Sequence, residues 1–122
     1  MVRLVVLALW CGLVECLKRK RVLVVGSANL DTTLAVGPRL PVGGETIVTR
    51  GDPEVCCGGK GLNQAVACAK LGGGALDVAM ACVVGRDGAG DALVAGLEAA
   101  GVDCGFVSRS EAAATGQGFV VL

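Results

Sequence analysis

Short apolar runs alternate with segments of helical periodicity along most of this chain. Val22–Val25 and Val78–Val84 are uninterrupted apolar runs, which are typical of strands buried on both faces. Residues 62–71 and 91–100 instead repeat their apolar positions with the spacing of an amphipathic helix. Strands that alternate with helices indicate βαβ units around a parallel sheet, so the pattern predicts an α/β fold.

Three further strands are predicted outside these elements. Residues 45–49 alternate apolar and polar side chains as an exposed strand does, after a turn rich in proline and glycine. Short strands are also predicted near 106–107 and over 117–122. Because no helix follows the last apolar strand to cover it, we expect residues 21–122 to be part of a larger domain.

The first twenty residues differ from the rest and are predicted to be a separate N-terminal extension. Val2–Val14 is strongly apolar, and four consecutive positive charges follow at Lys18–Arg21. A membrane-spanning helix needs about 20 apolar residues, so we expect no membrane span here. Two interpretations stay open for this extension. It is either a signal anchor held by the basic cluster, or an added segment that is disordered or an artefact of the gene model.

Composition and charge exclude several classes of function. The 11 basic and 11 acidic residues cancel, and aromatic residues are nearly absent, so no nucleic-acid partner is predicted. The chain has no histidine, which excludes Ser-His and Cys-His nucleophile pairs, and no metal site is predicted. The seven cysteines form no C-x-x-C pair, which favours free thiols in a reducing compartment, the cytoplasm.

A glycine-rich loop precedes the first predicted helix and is the strongest candidate for a binding site. Gly58, Gly59 and Gly61 permit positive φ angles and a close approach of another molecule to the backbone. Lys60 and Asn63 place a cation and an amide at the same point. Because the first amides of a helix have no intrahelical partner, the loop predicts a small ligand that is anionic or rich in hydroxyls.

A second pair of polar residues follows the first buried strand. Asn29 and Asp31 are two residues apart, so an extended backbone would place both side chains on the same side. We expect this pair to contribute to the same ligand site as the glycine-rich loop.

These segments resemble the ribokinase-like (pfkB) family of sugar kinases over residues 21–122, with the glycine-rich loop in its ribokinase form. Five landmarks occur in the family's order. They are Val24–Asp31 with its N-x-D pair, the P-x-G-E-T-like segment Leu40–Thr46, the glycine-rich segment Gly58–Ala65, the run Val84–Gly90 followed by Gly101–Asp103, and Ala114–Gly116. The resemblance implies the N-terminal portion of the family fold, a Rossmann-like parallel sheet with flanking helices plus a small β-lid.

The resemblance also implies a function and a set of site residues. The intact family member would transfer a phosphoryl group from ATP, with Mg²⁺, to the terminal hydroxyl of a sugar such as ribose. The residues implied to bind the sugar are Asn29, Asp31, Gly59, Lys60, Gly61 and Asn63. The ATP site and the catalytic base are implied to lie beyond Leu122, so no catalytic residue is assigned to this chain and we expect the chain alone to be inactive.

Gly88–Asp91 has the sequence Gly-Ala-Gly-Asp, which is similar to the family's catalytic motif. Its position after the second buried strand and the absence of a preceding Asp-Thr pair argue against that role. We expect Asp91 to lie in the first turn of a helix, where the helix dipole favours a carboxylate.

Two alternatives to a kinase that phosphorylates ribose remain open. The substrate of the intact protein could be fructose, adenosine or another nucleoside. The chain could also be a truncated, non-catalytic binding module that forms a homodimer through the lid segment 45–55, because exposed strands can pair with a second copy.

Overall fold

The computed structural model describes residues 19–122. The described elements are β1 (Lys20–Val25), β2 (Asn29–Leu34), β3 (Glu54–Gly58), α1 (Lys60–Leu71), β4 (Leu76–Gly85), α2 (Gly88–Ala99), β5 (Asp103–Ser110) and β6 (Gln117–Val121). The N-terminal extension predicted over residues 1–20 lies outside the described residues, except for its last two positions.

Three parallel strands form a main sheet in the order β1-β4-β5, which confirms the predicted α/β architecture. Both helices pack against one face of this sheet. Met80 at the middle of β4 and Leu93 of α2 are completely buried in the resulting core. Because β4 is the central strand, it has a neighbouring strand on each edge and the helices on one face. The burial on both faces that the continuous apolar runs of β1 and β4 predict is wrong for residues 19–122, because only one face of the sheet is covered within this range.

The opposite face of the main sheet is apolar and uncovered within residues 19–122. Side chains alternate along β1, so Val22 and Val24 pack against the core while Leu23 and Val25 point away from it. Val83 of β4 and Phe106 of β5 are 66% and 60% exposed. This face therefore lacks the second layer that an α/β sheet normally has.

A second sheet, which we call the lid sheet, has the strand order β3-β2-β6. β2 is antiparallel to β3 and parallel to β6. The exposed strand predicted over residues 45–49 is wrong, because this segment has no regular structure. Val48 is 86% exposed there, and alternation of side chains does not form a strand without a partner for its backbone. β3 at Glu54–Gly58 is the strand that pairs with β2 instead.

Both helices begin earlier than their apolar periodicity predicts. α1 begins at Lys60 rather than near Leu62, and α2 begins at Gly88 rather than near Asp91. Lys60 and Gly61 begin α1, and Gly88, Ala89 and Gly90 begin α2, so neither start carries a large apolar residue from which a boundary could be found. Each helix has 12 residues, and no helix in the described range is long and apolar enough to cross a membrane.

Candidate functional site

Asn29 and Asp31 lie on the central strand of the lid sheet and share one of its faces, as their spacing predicts. Both residues are partly buried. The register sets Asn29 opposite Gly58 of β3 and Asp31 beside Gly118 of β6. The polar pair therefore lies between two strands that carry glycine at the facing positions.

Three glycines leave the space that the two polar side chains occupy. A Cβ atom on Gly58 or on Gly118 would overlap the carboxylate of Asp31. A Cβ atom on Gly116 would lie 2.8 Å from Oδ1 of Asn29, which is closer than real Cβ contacts allow. Gly116 and Gly118 were not among the predicted site residues, although the Thr-Gly-x-Gly spacing before the last apolar run would have been the signal for them.

The glycine-rich loop packs closely against the segment that leads into β2. Gly59 has φ 99°, and a Cβ there would lie 2.6 Å from the carbonyl oxygen of Ser27. A Cβ on Gly61 would lie 2.8 Å from backbone atoms of Gly26, so the first turn of α1 and the segment after β1 are in backbone contact. The amide of Leu62 donates to the Ser27 carbonyl at 3.1 Å. These contacts hold the first turn of α1 beside the residues that precede Asn29.

Lys60 and Asn63 are exposed in the first turn of α1. This helix has no side-chain cap and no acidic residue in its first turn. A lysine at the positive end of a helix dipole is unfavourable, typically by about 0.3–1 kcal/mol. The first turn of α1 therefore lacks features that stabilise the start of a helix.

The polar side chains predicted to bind a ligand form no hydrogen bonds with other residues of the described range. Among the side-chain hydrogen bonds of residues 19–122, none involves Asn29, Asp31, Lys60 or Asn63. A carboxylate, two amides and an ammonium group are therefore left without a protein partner within residues 19–122, and groups of these kinds can hydrogen-bond to hydroxyls.

The start of α2 is built differently, and it contains a carboxylate with a strongly shifted pKa. Asp87 caps this helix by accepting a hydrogen bond from the amide of Gly90 at 2.8 Å. Hydrogen bonds from the hydroxyl and the amide of Thr115, together with the Gly90 bond, lower the pKa of Asp87 to about 2. Asp91 lies in the first turn, as predicted, and forms a 2.8 Å ion pair with Arg109.

Comparisons with known proteins agree with this architecture. The pfkB family of carbohydrate kinases matches residues 19–122. The ribokinase of Schizosaccharomyces pombe is 37% identical over 105 residues, which are 83% of this chain and 32% of that protein. The chain spans about a third of the length of the curated relatives that it matches.

Solved structures give the same result. The structure of Arabidopsis thaliana ribokinase complexed with ribose and ATP superposes with a TM-score of 0.75 at 33% identity, covering 86% of this chain and 33% of that one. The crystal structure of Xylella fastidiosa fructokinase with bound ATP has a TM-score of 0.64 at 31% identity, covering 86% and 30%. With a sheet, a lid and a glycine-rich helix start that follow the family's order, the chain belongs to the pfkB family of carbohydrate kinases.

Proposed function

We propose that this chain forms the sugar-binding part of an ATP-dependent kinase that phosphorylates ribose at its terminal hydroxyl. One observation carries the proposal. The side chains of Asn29 and Asp31 are partly buried, share one face of β2 and form no hydrogen bond with another residue of 19–122, while their polar atoms stay open to solvent and so to a ligand. A hydroxyl-rich ligand would supply the missing partners.

Each proposed site residue has a distinct role toward the sugar. The Asp31 carboxylate would accept hydrogen bonds from two neighbouring hydroxyls, and the side chains of Asn29, Lys60 and Asn63 would donate to others. Gly59 and Gly61 would let the sugar approach the backbone at the N-terminus of α1. A site that pairs each hydroxyl in this way rejects analogues that lack one, because its own polar groups then lose their partners.

We place the binding of Mg²⁺ and ATP, and the catalytic base, outside residues 19–122. Phosphoryl transfer relies on positioning and on stabilising the charge of the transferred group. The residues of this chain bind and orient the sugar, and we propose that the chain alone transfers no phosphate.

A titration of the isotopically labelled chain with D-ribose, followed by NMR, tests the sugar site. We expect the side-chain amide signals of Asn29 and Asn63 to shift, and D-fructose and adenosine to bind more weakly. Asp31→Asn should weaken ribose binding about 10- to 100-fold, because a hydrogen bond to a charged group is worth about 1.5–3 kcal/mol.

Asp77→Asn is the matched control, since Asp77 lies in β4 and contacts Arg19 on the exposed surface. It should bind ribose as the unaltered chain does. Equal binding of ribose by the Asp31→Asn and Asp77→Asn variants would contradict the proposed site, and preferential binding of fructose or adenosine would change the substrate.

A second candidate function is a non-catalytic module that dimerises through the lid sheet. β3 and β6 are the edge strands of that sheet, and Val55 and Phe119 on them are 58% and 66% exposed. Exposed edge strands can pair with a second copy. Sedimentation analysis distinguishes the alternatives, because a stable dimer that binds ribose but not ATP favours the module, and a monomer opposes it.

We also propose a cytoplasmic location. All five cysteines in the described part of the chain are free thiols, which a reducing compartment preserves. Localisation of the tagged protein by microscopy tests this, and an accumulation in an oxidising compartment would contradict it.

A further inference from the structure

Thr115 is the one polar residue in the described range that is fully buried, with 4% of its surface exposed. It lies in the crossover of residues 111–116, which leads from β5 of the main sheet to β6 of the lid sheet. Its hydroxyl donates to Oδ1 of Asp87 at 2.6 Å and accepts from the amide of Gly85 at 2.8 Å. Its own amide donates to Oδ2 of Asp87 at 2.8 Å. The crossover is therefore bound to the β4–α2 junction by three hydrogen bonds.

Asp87 does more than a helix cap requires. Capping α2 uses one bond, from the Gly90 amide to Oδ1. The second carboxylate oxygen accepts from the Thr115 amide, and the Thr115 hydroxyl, then the Thr115 and Gly90 amides, lower the pKa of Asp87 by donating to its carboxylate. An asparagine would cap the helix equally well, but its amide nitrogen would face the Thr115 N–H as donor against donor. The carboxylate is thus needed for the crossover and not for the helix.

The residue after Thr115 touches the polar pair of the sugar site. The carbonyl of Gly116 accepts from the amide of Leu30 at 2.9 Å. The Cα atom of Gly116 lies against the side chain of Asn29, where any Cβ would come within 2.8 Å of Oδ1. From this point β6 runs parallel to β2 and brings Gly118 beside Asp31. The placement of Gly116 consequently limits where the Asn29 side chain can point.

We infer that Asp87 is a positioning residue for the sugar site, acting through Thr115 to hold Gly116 against Asn29. The inference rests on the proposed function, because Asn29 is a sugar ligand only in that proposal. In physical terms, a carboxylate at the end of the main sheet fixes the start of β6, and β6 places Gly116 beside Asn29 and Gly118 beside Asp31. Asp87 itself makes no contact with the sugar.

Asp87→Asn tests the inference because it retains the helix cap and removes the bond to the Thr115 amide. In the labelled chain without sugar, we expect the Gly116 amide and Asn29 side-chain signals to shift, while the Gly90 amide stays protected from hydrogen exchange because the helix cap is retained. Ribose binding should weaken about fivefold to tenfold, the effect of one lost hydrogen bond on the site's geometry. Asp103→Asn is the matched control, since Asp103 also accepts a backbone amide, that of Gly105, but lies at the other end of β5.

Unchanged Gly116 and Asn29 signals in Asp87→Asn would overturn the inference. So would equal effects of Asp87→Asn and Asp103→Asn. If Asp87→Asn does not fold, Thr115→Val removes the hydroxyl bonds to Asp87 and Gly85 at nearly constant shape and must shift the same two signals. Failure of the unaltered chain to bind ribose contradicts the proposed function alone, because the signals measured without sugar still test the role of Asp87.

Discussion

The close packing of Gly61 against Gly26 predicts that Gly61→Ala destabilises the chain. A Cβ at position 61 would lie 2.8 Å from two backbone atoms of Gly26 and 2.9 Å from the backbone nitrogen of Ser27. Carbon atoms in contact prefer about 3.5–4.0 Å, and backbone atoms cannot rotate away as a side chain can. Overpacking of this kind costs about 1–3 kcal/mol.

The change also has a favourable part, which must be subtracted. Alanine is favoured over glycine in a helix by up to about 1 kcal/mol. We therefore expect a net loss of up to about 2 kcal/mol in the free energy of unfolding. With a urea m-value of about 1–3 kcal/mol per molar, a loss of that size lowers the unfolding midpoint by roughly 0.7–2 M.

Gly88→Ala is the matched control for this prediction. Gly88 also lies in the first turn of a helix, but a Cβ there meets nothing within 4 Å. This variant should gain up to about 0.5–1 kcal/mol, because alanine has less backbone entropy to lose. Urea unfolding followed by far-ultraviolet circular dichroism measures both variants. A Gly61→Ala variant as stable as the Gly88→Ala variant would refute the argument that backbone contact holds α1 in place.

Three further predictions concern the hydrophobic core, the stability of the fold at low pH and the reactivity of the cysteine thiols. Leu97→Ala should lower the free energy of unfolding by about 2–5 kcal/mol, because Leu97 is 1% exposed in the core, and a loss below 1 kcal/mol in urea unfolding would contradict this. The pKa of Asp87 is lowered from 3.8 to about 2, so its contribution to stability is complete above pH 3.8 and is lost as the pH falls toward 2. The acid-unfolding curve of Asp87→Asn should therefore be flatter between these values, and identical curves would oppose the assignment. Cys56 is exposed whereas burial raises the pKa of the Cys82 thiol, so Ellman's reagent at neutral pH should modify Cys56 faster, as peptide mapping would check.

The elements that could be predicted from the sequence are those whose burial shows in the order of apolar and polar residues within the element itself. β1 and β4 are continuous apolar runs, and both lie in the main sheet as expected. β3 was missed because Glu54–Gly58 has neither a long apolar run nor clear alternation. Its extended conformation comes from pairing with β2, and the pairing joins residues more than twenty positions apart. A contact of that range leaves no trace in a short window of sequence.

The candidate site divides in the same way. The shared face of Asn29 and Asp31 follows from a spacing of two residues in an extended chain, so it could be predicted. The Thr-Gly-x-Gly spacing could have marked Gly116 and Gly118 as candidates, but their position beside Asn29 and Asp31 could not be predicted, because it depends on β6 joining the lid sheet rather than the main sheet. The role of Asp87 was hidden for a related reason, since its partner Thr115 is 28 residues away.

Because one face of the main sheet is uncovered, the stability of this chain depends on the concentration of whatever binds that face. Leu23, Val25, Val83 and Phe106 expose apolar surface that water solvates poorly. Any polypeptide segment that binds this face, in the same chain or in another, binds the folded state and not the unfolded one. The folded fraction of residues 19–122 then rises with the effective concentration of that segment, and the unfolding temperature becomes concentration-dependent if the segment is separate.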